Sequence, residues 1–128
     1  MKMILAVALG GALGSVGRYV IAGTIMRSVG GVFPWGTLAV NVIGGLIMGA
    51  LIELMALAWS PTPALRAFLT VGLLGGFTTF SAFSLETATM IERGAWGPAG
   101  AYVATSVIAS IGGLFAGLWL VRALVPVP

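Results

Sequence analysis

The chain has 128 residues, 59% of them hydrophobic and only 7% charged, with a net charge of +3 and a mean hydropathy of +1.14. A soluble domain is about a quarter charged, so these residues cannot cover a water-facing surface and the chain belongs in a bilayer, as one domain over 1–128. With no cysteine and no histidine, disulfides, thiolate metal sites and the usual general base are excluded, and six basic residues scattered singly do not make a nucleic-acid footprint.

Four segments are apolar and long enough to cross a core of roughly 30 Å, which takes about 20 residues. The first runs over 3–26. Its start, MKMILAVALGGALG, has the elements of a secretory signal peptide, but the apolar stretch continues past Arg18 as a spanning helix does. RSVGGVFP then breaks the pattern with two glycines and a proline. The second span covers 35–58. SPTP follows, where Ser60 or Thr62 can cap and Pro61 or Pro63 can open the next helix. The third span covers 64–92, RGAWG follows it, and Pro98 opens a fourth over 98–122. Short loops make successive spans antiparallel. No internal repeat is evident.

Four crossings put both termini on one side, with Lys2, Arg66 and Arg122, while Arg27 and Arg93 fall on the other. Arg18 lies inside the first span. Trp59 and Trp119 oppose Trp35 and Trp96 as interfacial belts. Lys and Arg set orientation, and this split has almost no bias. It is compatible with weak orientation by Lys2, or with insertion in both directions and an antiparallel dimer. Glycines recur at four-residue spacing, as in Gly10 and Gly14, Gly45 and Gly49, and Gly113 and Gly117. They suit close helix packing within a subunit or between two.

The third span raises a question of its own. A continuous helix over 64–92 would be roughly 43 Å long at 1.5 Å per residue, longer than the hydrocarbon layer. Gly75 and Gly76 weaken it, and Thr78 and Thr79 are β-branched, so a break is expected at 75–79. The alternative is an unbroken, tilted helix with a packing Gly-Gly pair. Irregular backbone at that depth survives only against protein or a wet cavity, and freed carbonyls there bind cations. The N–H groups at the start of the second half-helix suit an anion.

Neutral polar residues line up on three spans. Thr37 and Asn41 share a face of the second. Phe80, Phe83, Ser84 and Thr87 share one on the third, with Ser81 beside them. Tyr102, Ser106 and Ser110 recur every four on the fourth. Asn41, the only asparagine, lies deep in its span, where a polar side chain is costly without partners. Cation paths usually carry carboxylates, and the Asn41 and Tyr102 stripes have none. Hydroxyls, an amide and phenyl ring edges, the positive part of the ring quadrupole, suit an anion.

GGALGSVGRYV in the first span, GTLAVNVIGGLIMG in the second and GLLGGFTTFSAFSLET in the third resemble the Fluc family of fluoride channels, also called CrcB, over essentially the whole chain. The resemblance implies an all-α membrane protein in the bacterial inner membrane, built as an antiparallel, dual-topology homodimer with two fluoride pores, and no enzyme activity. It implies a structural sodium ion at the dimer centre, held by the backbone carbonyls of Gly75 and Thr78. It carries the pore roles onto Phe80, Phe83 and Asn41, with Thr37, Ser81, Tyr102 and Ser106 as polar lining and Ser110 continuing that stripe. Arg18 and Glu86 are supporting residues. The alternative is a small proton-coupled drug exporter, also a four-span dual-topology dimer. That class needs an acid in the first span, where this chain has Arg18. A structural subunit with no pathway leaves the polar stripes unexplained.

Overall fold

The computed structural model describes residues 1–125 and contains six α-helices: α1 (Lys2–Val29), α2 (Trp35–Leu57), α3 (Pro63–Ala67), α4 (Gly75–Phe77), α5 (Ser81–Glu92) and α6 (Trp96–Leu124). A π-helical stretch, Phe68–Leu74, joins α3 to α4. Four helical units are long and apolar enough to cross a membrane: Lys2–Val29, Trp35–Leu57, Pro63–Glu92 and Trp96–Leu124. The protein is a multi-pass membrane protein.

The ends follow local chemistry. α1 stops at Gly30 and Gly31, whose φ values of 70° and 87° lie where a Cβ is penalised. Thr62 caps α3 by accepting the Leu65 N–H at 3.3 Å, with Pro63 at the first helical position, where its missing N–H costs nothing. α6 starts at Trp96, two residues before Pro98. That proline still falls among the first N–H groups, which have no helical partner.

The tightest packing joins alternate spans, which run parallel. A Cβ on Gly10 or Gly14 would overlap the carbonyl oxygens of Phe68 or Leu73, and one on Gly76 would lie 2.7 Å from the Gly11 oxygen. α1 therefore rests backbone-on-backbone against the π-helical stretch and α4. On the other pair, a Cβ on Gly45 would lie 2.6 Å from the Ser110 oxygen, and ones on Gly49 and Gly117 would overlap the carbonyls of Leu114 and Leu46. Contacts between residues 42–50 and 110–117 rise together along both helices, so α2 and α6 are parallel. Short loops make consecutive spans antiparallel, as expected, while Gly10, Gly14, Gly45, Gly49 and Gly117 serve the pairing of first with third and second with fourth; Gly36 instead seats α2 on the Ala22 carbonyl of α1. In lipid, such packing rests on van der Waals contact that only small residues permit.

A small buried cluster of Leu38, Met90, Ala99 and Tyr102, flanked by Phe33, Val42 and Phe83, ties α2, α5 and α6 together. Many large apolar side chains, among them Leu9, Leu13, Ile108, Phe115 and Leu120, point outward. That is the inside-out polarity of a chain whose solvent is hydrocarbon.

Gly75 and Gly76, expected to weaken the third span, are themselves helical: Gly75 has φ −64° and ψ −36°. The residue that leaves helical geometry is Thr78, with φ −80° and ψ 160°. α5 starts afresh at Ser81.

Candidate functional site

The departure at Thr78 is stabilised from α2. Asn41 donates from Nδ2 to the Thr79 carbonyl at 2.9 Å, and its Oδ1 accepts the Thr79 N–H at 2.8 Å. Because that N–H must donate, the amide orientation is fixed by the pairing itself. In a continuous α-helix the Thr79 N–H would bond the Gly75 carbonyl, four residues back. Asn41 takes that donor and so frees the Gly75 oxygen.

Thr79 repeats the substitution one turn on. Its hydroxyl accepts the Ala82 N–H at 3.1 Å, a donor that would otherwise serve the Thr78 carbonyl. It also lies 3.3 Å from the Ser81 hydroxyl. The carbonyl oxygens of Gly75 and Thr78 thus each lose their helical donor to a side chain. Among the described residues no group of three His, Cys, Asp or Glu side chains could hold a metal ion. The oxygen donors at the interruption are backbone carbonyls, the ligand type a hard cation accepts.

Two grooves meet at this pairing. The first, about 540 Å³, is lined by Asn41, Gly75, Thr78, Thr79, Phe80, Phe83, Ser106 and Ser110 among others. The second, of similar volume, is lined by Ser15, Arg18, Tyr19, Thr37, Thr79 and Glu86 among others. Thr79 lines both, so the Asn41–Thr79 pair forms part of the wall between them.

In the first groove the Phe80 and Phe83 ring centroids are 5.4 Å apart, with planes tilted by 43°. The Phe83 ring lies 5.3 Å from that of Tyr102. Phe80 is 77% exposed, so its ring has little of this chain around it. Ser106 is buried, and its Oγ has no hydrogen-bond partner. Several other hydroxyls are satisfied within their own helix: Thr24, Thr70, Thr78, Ser84, Thr87 and Thr89 each donate to the carbonyl four residues earlier. Such back-bonding is the usual refuge of a hydroxyl in a spanning helix. Ser106 forgoes it on the groove wall.

Glu86 is the hub of the other side. Its Oε1 accepts the Thr37 hydroxyl at 2.7 Å, and its Oε2 accepts the Tyr102 hydroxyl at 2.6 Å. One carboxylate therefore joins α2, α5 and α6, and short O–H···O⁻ bonds of this kind are strong. Tyr102 is fully buried. Arg18 shares the second groove with Glu86 but has no ion pair, since the only one among the described residues joins Arg122 to Glu53. Arg18 lies 11 residues before the end of α1, about 16 Å along the helix axis from it, within the apolar span. A charge at such a depth belongs toward a cavity.

The residues singled out in the sequence therefore separate into groups. Asn41, Phe80, Phe83, Ser106, Ser110, Gly75 and Thr78 share the first groove. Thr37, Arg18 and Glu86 share the second. Tyr102 links the two sets through Phe83 and Glu86. Ser81 is exposed at the head of α5 and touches the site through Thr79. Sequence reasoning passed over Thr79 as a site residue, although it sits at the middle of the arrangement. The available signal was its place in a Thr-Thr pair at a weakened helix. The sequence also gave no partner to Glu53, which binds Arg122.

Residues 5–118 match the family model described as CrcB-like protein, Camphor Resistance (CrcB). The chain is 58% identical over 122 residues to a protein of Rhodospirillum centenum named Fluoride-specific ion channel FluC, covering 95% of this chain and 97% of that one. It is 50% identical over 121 residues to Fluoride-specific ion channel FluC 1 of Nitrobacter hamburgensis, covering 94% and 96%. It is 52% identical over 119 residues to the FluC protein of Nitrobacter winogradskyi, covering 93% and 94%. With a family model spanning most of its length and relatives of this identity matched nearly end to end, the chain belongs to the CrcB family.

Proposed function

We propose that this protein is a fluoride-selective channel of the bacterial inner membrane, letting fluoride leave the cytoplasm passively. The observation that carries the reading is the chemistry of the first groove. At membrane depth it offers the Asn41 amide, the Ser106 and Ser110 hydroxyls and the rings of Phe80 and Phe83, with no carboxylate among its lining. Fluoride is small and strongly hydrated, so a path must replace its water with close donors. Ser106 brings a hydroxyl with no other partner. Asn41 spends one amide hydrogen on Thr79 and keeps a second. Ring edges supply weaker, positively polarised C–H groups. Neutral, successive sites bind weakly enough to release the ion.

The working form is an antiparallel homodimer. The near-even Lys/Arg split lets both orientations insert. A second copy would cover the exposed Phe80 ring and close the groove. In that form the carbonyls of Gly75 and Thr78 would hold a sodium ion between subunits, which supplies a fixed positive charge and a cross-link. Arg18, in the second groove, raises the local concentration of anions at its mouth. Glu86 holds Thr37 and Tyr102 in place and accepts rather than donates, so it positions the lining without contacting the anion. Nothing favours the proton-coupled exporter, because the first span has no acid to carry the proton.

The test is fluoride resistance. Expression in a bacterium stripped of its own fluoride export should restore growth at millimolar fluoride, whereas failure of a well-expressed, membrane-inserted protein to do so would count against the reading.

A further inference from the structure

The α2–α6 pair packs through Gly45, Gly49, Gly113 and Gly117 against bare backbone. Such an interface allows close approach of the two backbones. At one end the two helices are tied through α5, by Glu86 accepting from Thr37 and Tyr102. At the other end Arg122 donates from Nε to Glu53 Oε1 at 2.7 Å and from an Nη to Oε2 at 3.2 Å. This forked pair is the only ion pair among the described residues. Glu53 is buried, whereas the Arg122 side chain is 55% exposed.

The pair keeps the same register as the groove. Glu53 stands 12 residues after Asn41 on α2, and Arg122 stands 12 after Ser110 on α6. At 1.5 Å per residue both lie about 18 Å from the groove residue on their own helix. Because the helices are parallel, matching Glu53 to Arg122 sets Asn41 level with Ser110. A slip of one turn would move the serines about 5.4 Å past the amide. A planar, forked guanidinium–carboxylate contact resists such sliding better than a point charge does.

We propose that Glu53 and Arg122 are positioning residues: a clamp that fixes the axial register of α6 on α2 and so keeps Ser106 and Ser110 opposite Asn41. The link to conduction rests on the channel reading above; the clamp itself does not. Two readouts separate them. The chain has no cysteine, so cysteines placed at Met48 and Leu114, both on the groove wall, report register when bridged with thiol cross-linkers of graded length. In the intact pair one linker length should dominate. Glu53→Gln and Arg122→Gln should each spread the yield over several lengths. In liposomes the same two variants, free of added cysteines, should lose at least threefold in fluoride flux per folded protein and leak more chloride relative to fluoride. Arg122→Lys keeps the charge but not the fork, and should fall between wild type and Arg122→Gln in both readouts. Arg66→Gln, an exposed charge with no ion-pair partner among the described residues, should change neither. Variants that lose only thermal stability, with linker pattern and fluoride-to-chloride ratio unchanged, overturn the clamp. A wild type that conducts no fluoride, while the linker pattern still responds to Glu53→Gln, overturns the channel reading and leaves the clamp standing.

Discussion

Replacing Asn41 with alanine removes both sides of a reciprocal pairing at membrane depth. The Thr79 carbonyl loses its donor at 2.9 Å and the Thr79 N–H its acceptor at 2.8 Å. Each buried group left unpaired costs about 1–3 kcal/mol, so the interruption loses about 2–6 kcal/mol of support. The chain can recover part of this by returning the Thr79 N–H to the Gly75 carbonyl, extending α4 and consuming an oxygen the interruption had freed. Either outcome moves Phe80 and Phe83, which follow at once in the sequence. If the lower figure falls wholly on the conduction barrier, flux drops about thirtyfold at 1.36 kcal/mol per decade. Asn41→Ala should therefore lose at least tenfold in fluoride efflux from liposomes, read with a fluoride electrode, and size-exclusion chromatography should still find an assembled protein. Asn41→Asp keeps an acceptor for the Thr79 N–H but sets an oxygen against the Thr79 carbonyl and a charge in the groove. It too should lose at least tenfold. An Asn41→Ala protein that assembles and conducts at the wild-type rate would refute this reasoning, because the wall between the grooves would then be dispensable.

Phe80→Ile and Phe83→Ile keep apolar bulk but remove the ring quadrupole, and each should cut fluoride efflux more than tenfold in a protein that still assembles; unchanged efflux in both would place the path elsewhere. Replacing sodium by choline or lithium throughout should weaken assembly or flux, and identical behaviour in all three media would show that no sodium is needed at Gly75 and Thr78. A reporter at the C-terminus should be found on both membrane faces, and two or three lysines added to one terminus should bias it to one face. A single orientation in the unmodified chain would remove the basis for an antiparallel dimer.

The four spans were legible because hydrophobic length in a bilayer is a strong constraint. Pairing was less so. Short loops correctly make neighbours in sequence antiparallel, yet the close contacts of Gly14 and Gly49 join alternate spans, and glycine spacing does not name its partner. A break was expected at 75–79 from its glycines and threonines. Its detail was not, because Gly75 and Gly76 tolerate helix while Thr78 leaves it. What decides the matter is Asn41, 38 residues away from Thr79, a long-range pairing that no local propensity encodes. Asn41 shows the limit most clearly. The sequence marked it as a costly buried amide and suggested that its N–H groups serve an ion. In the structure the amide first repairs the backbone and has one hydrogen left over. The Glu86 hub was equally hidden, since three residues on three helices meet there.

Whether the neutral groove selects and passes fluoride is tested by loading liposomes that carry the purified protein with equal fluoride and chloride. Efflux of each ion is then followed with the proton gradient collapsed. Fluoride should leave rapidly from every liposome holding an assembled protein, while chloride is retained at the level of empty liposomes. Efflux of both ions at similar rates, or fluoride efflux that stops when the proton gradient is removed, would contradict this reading.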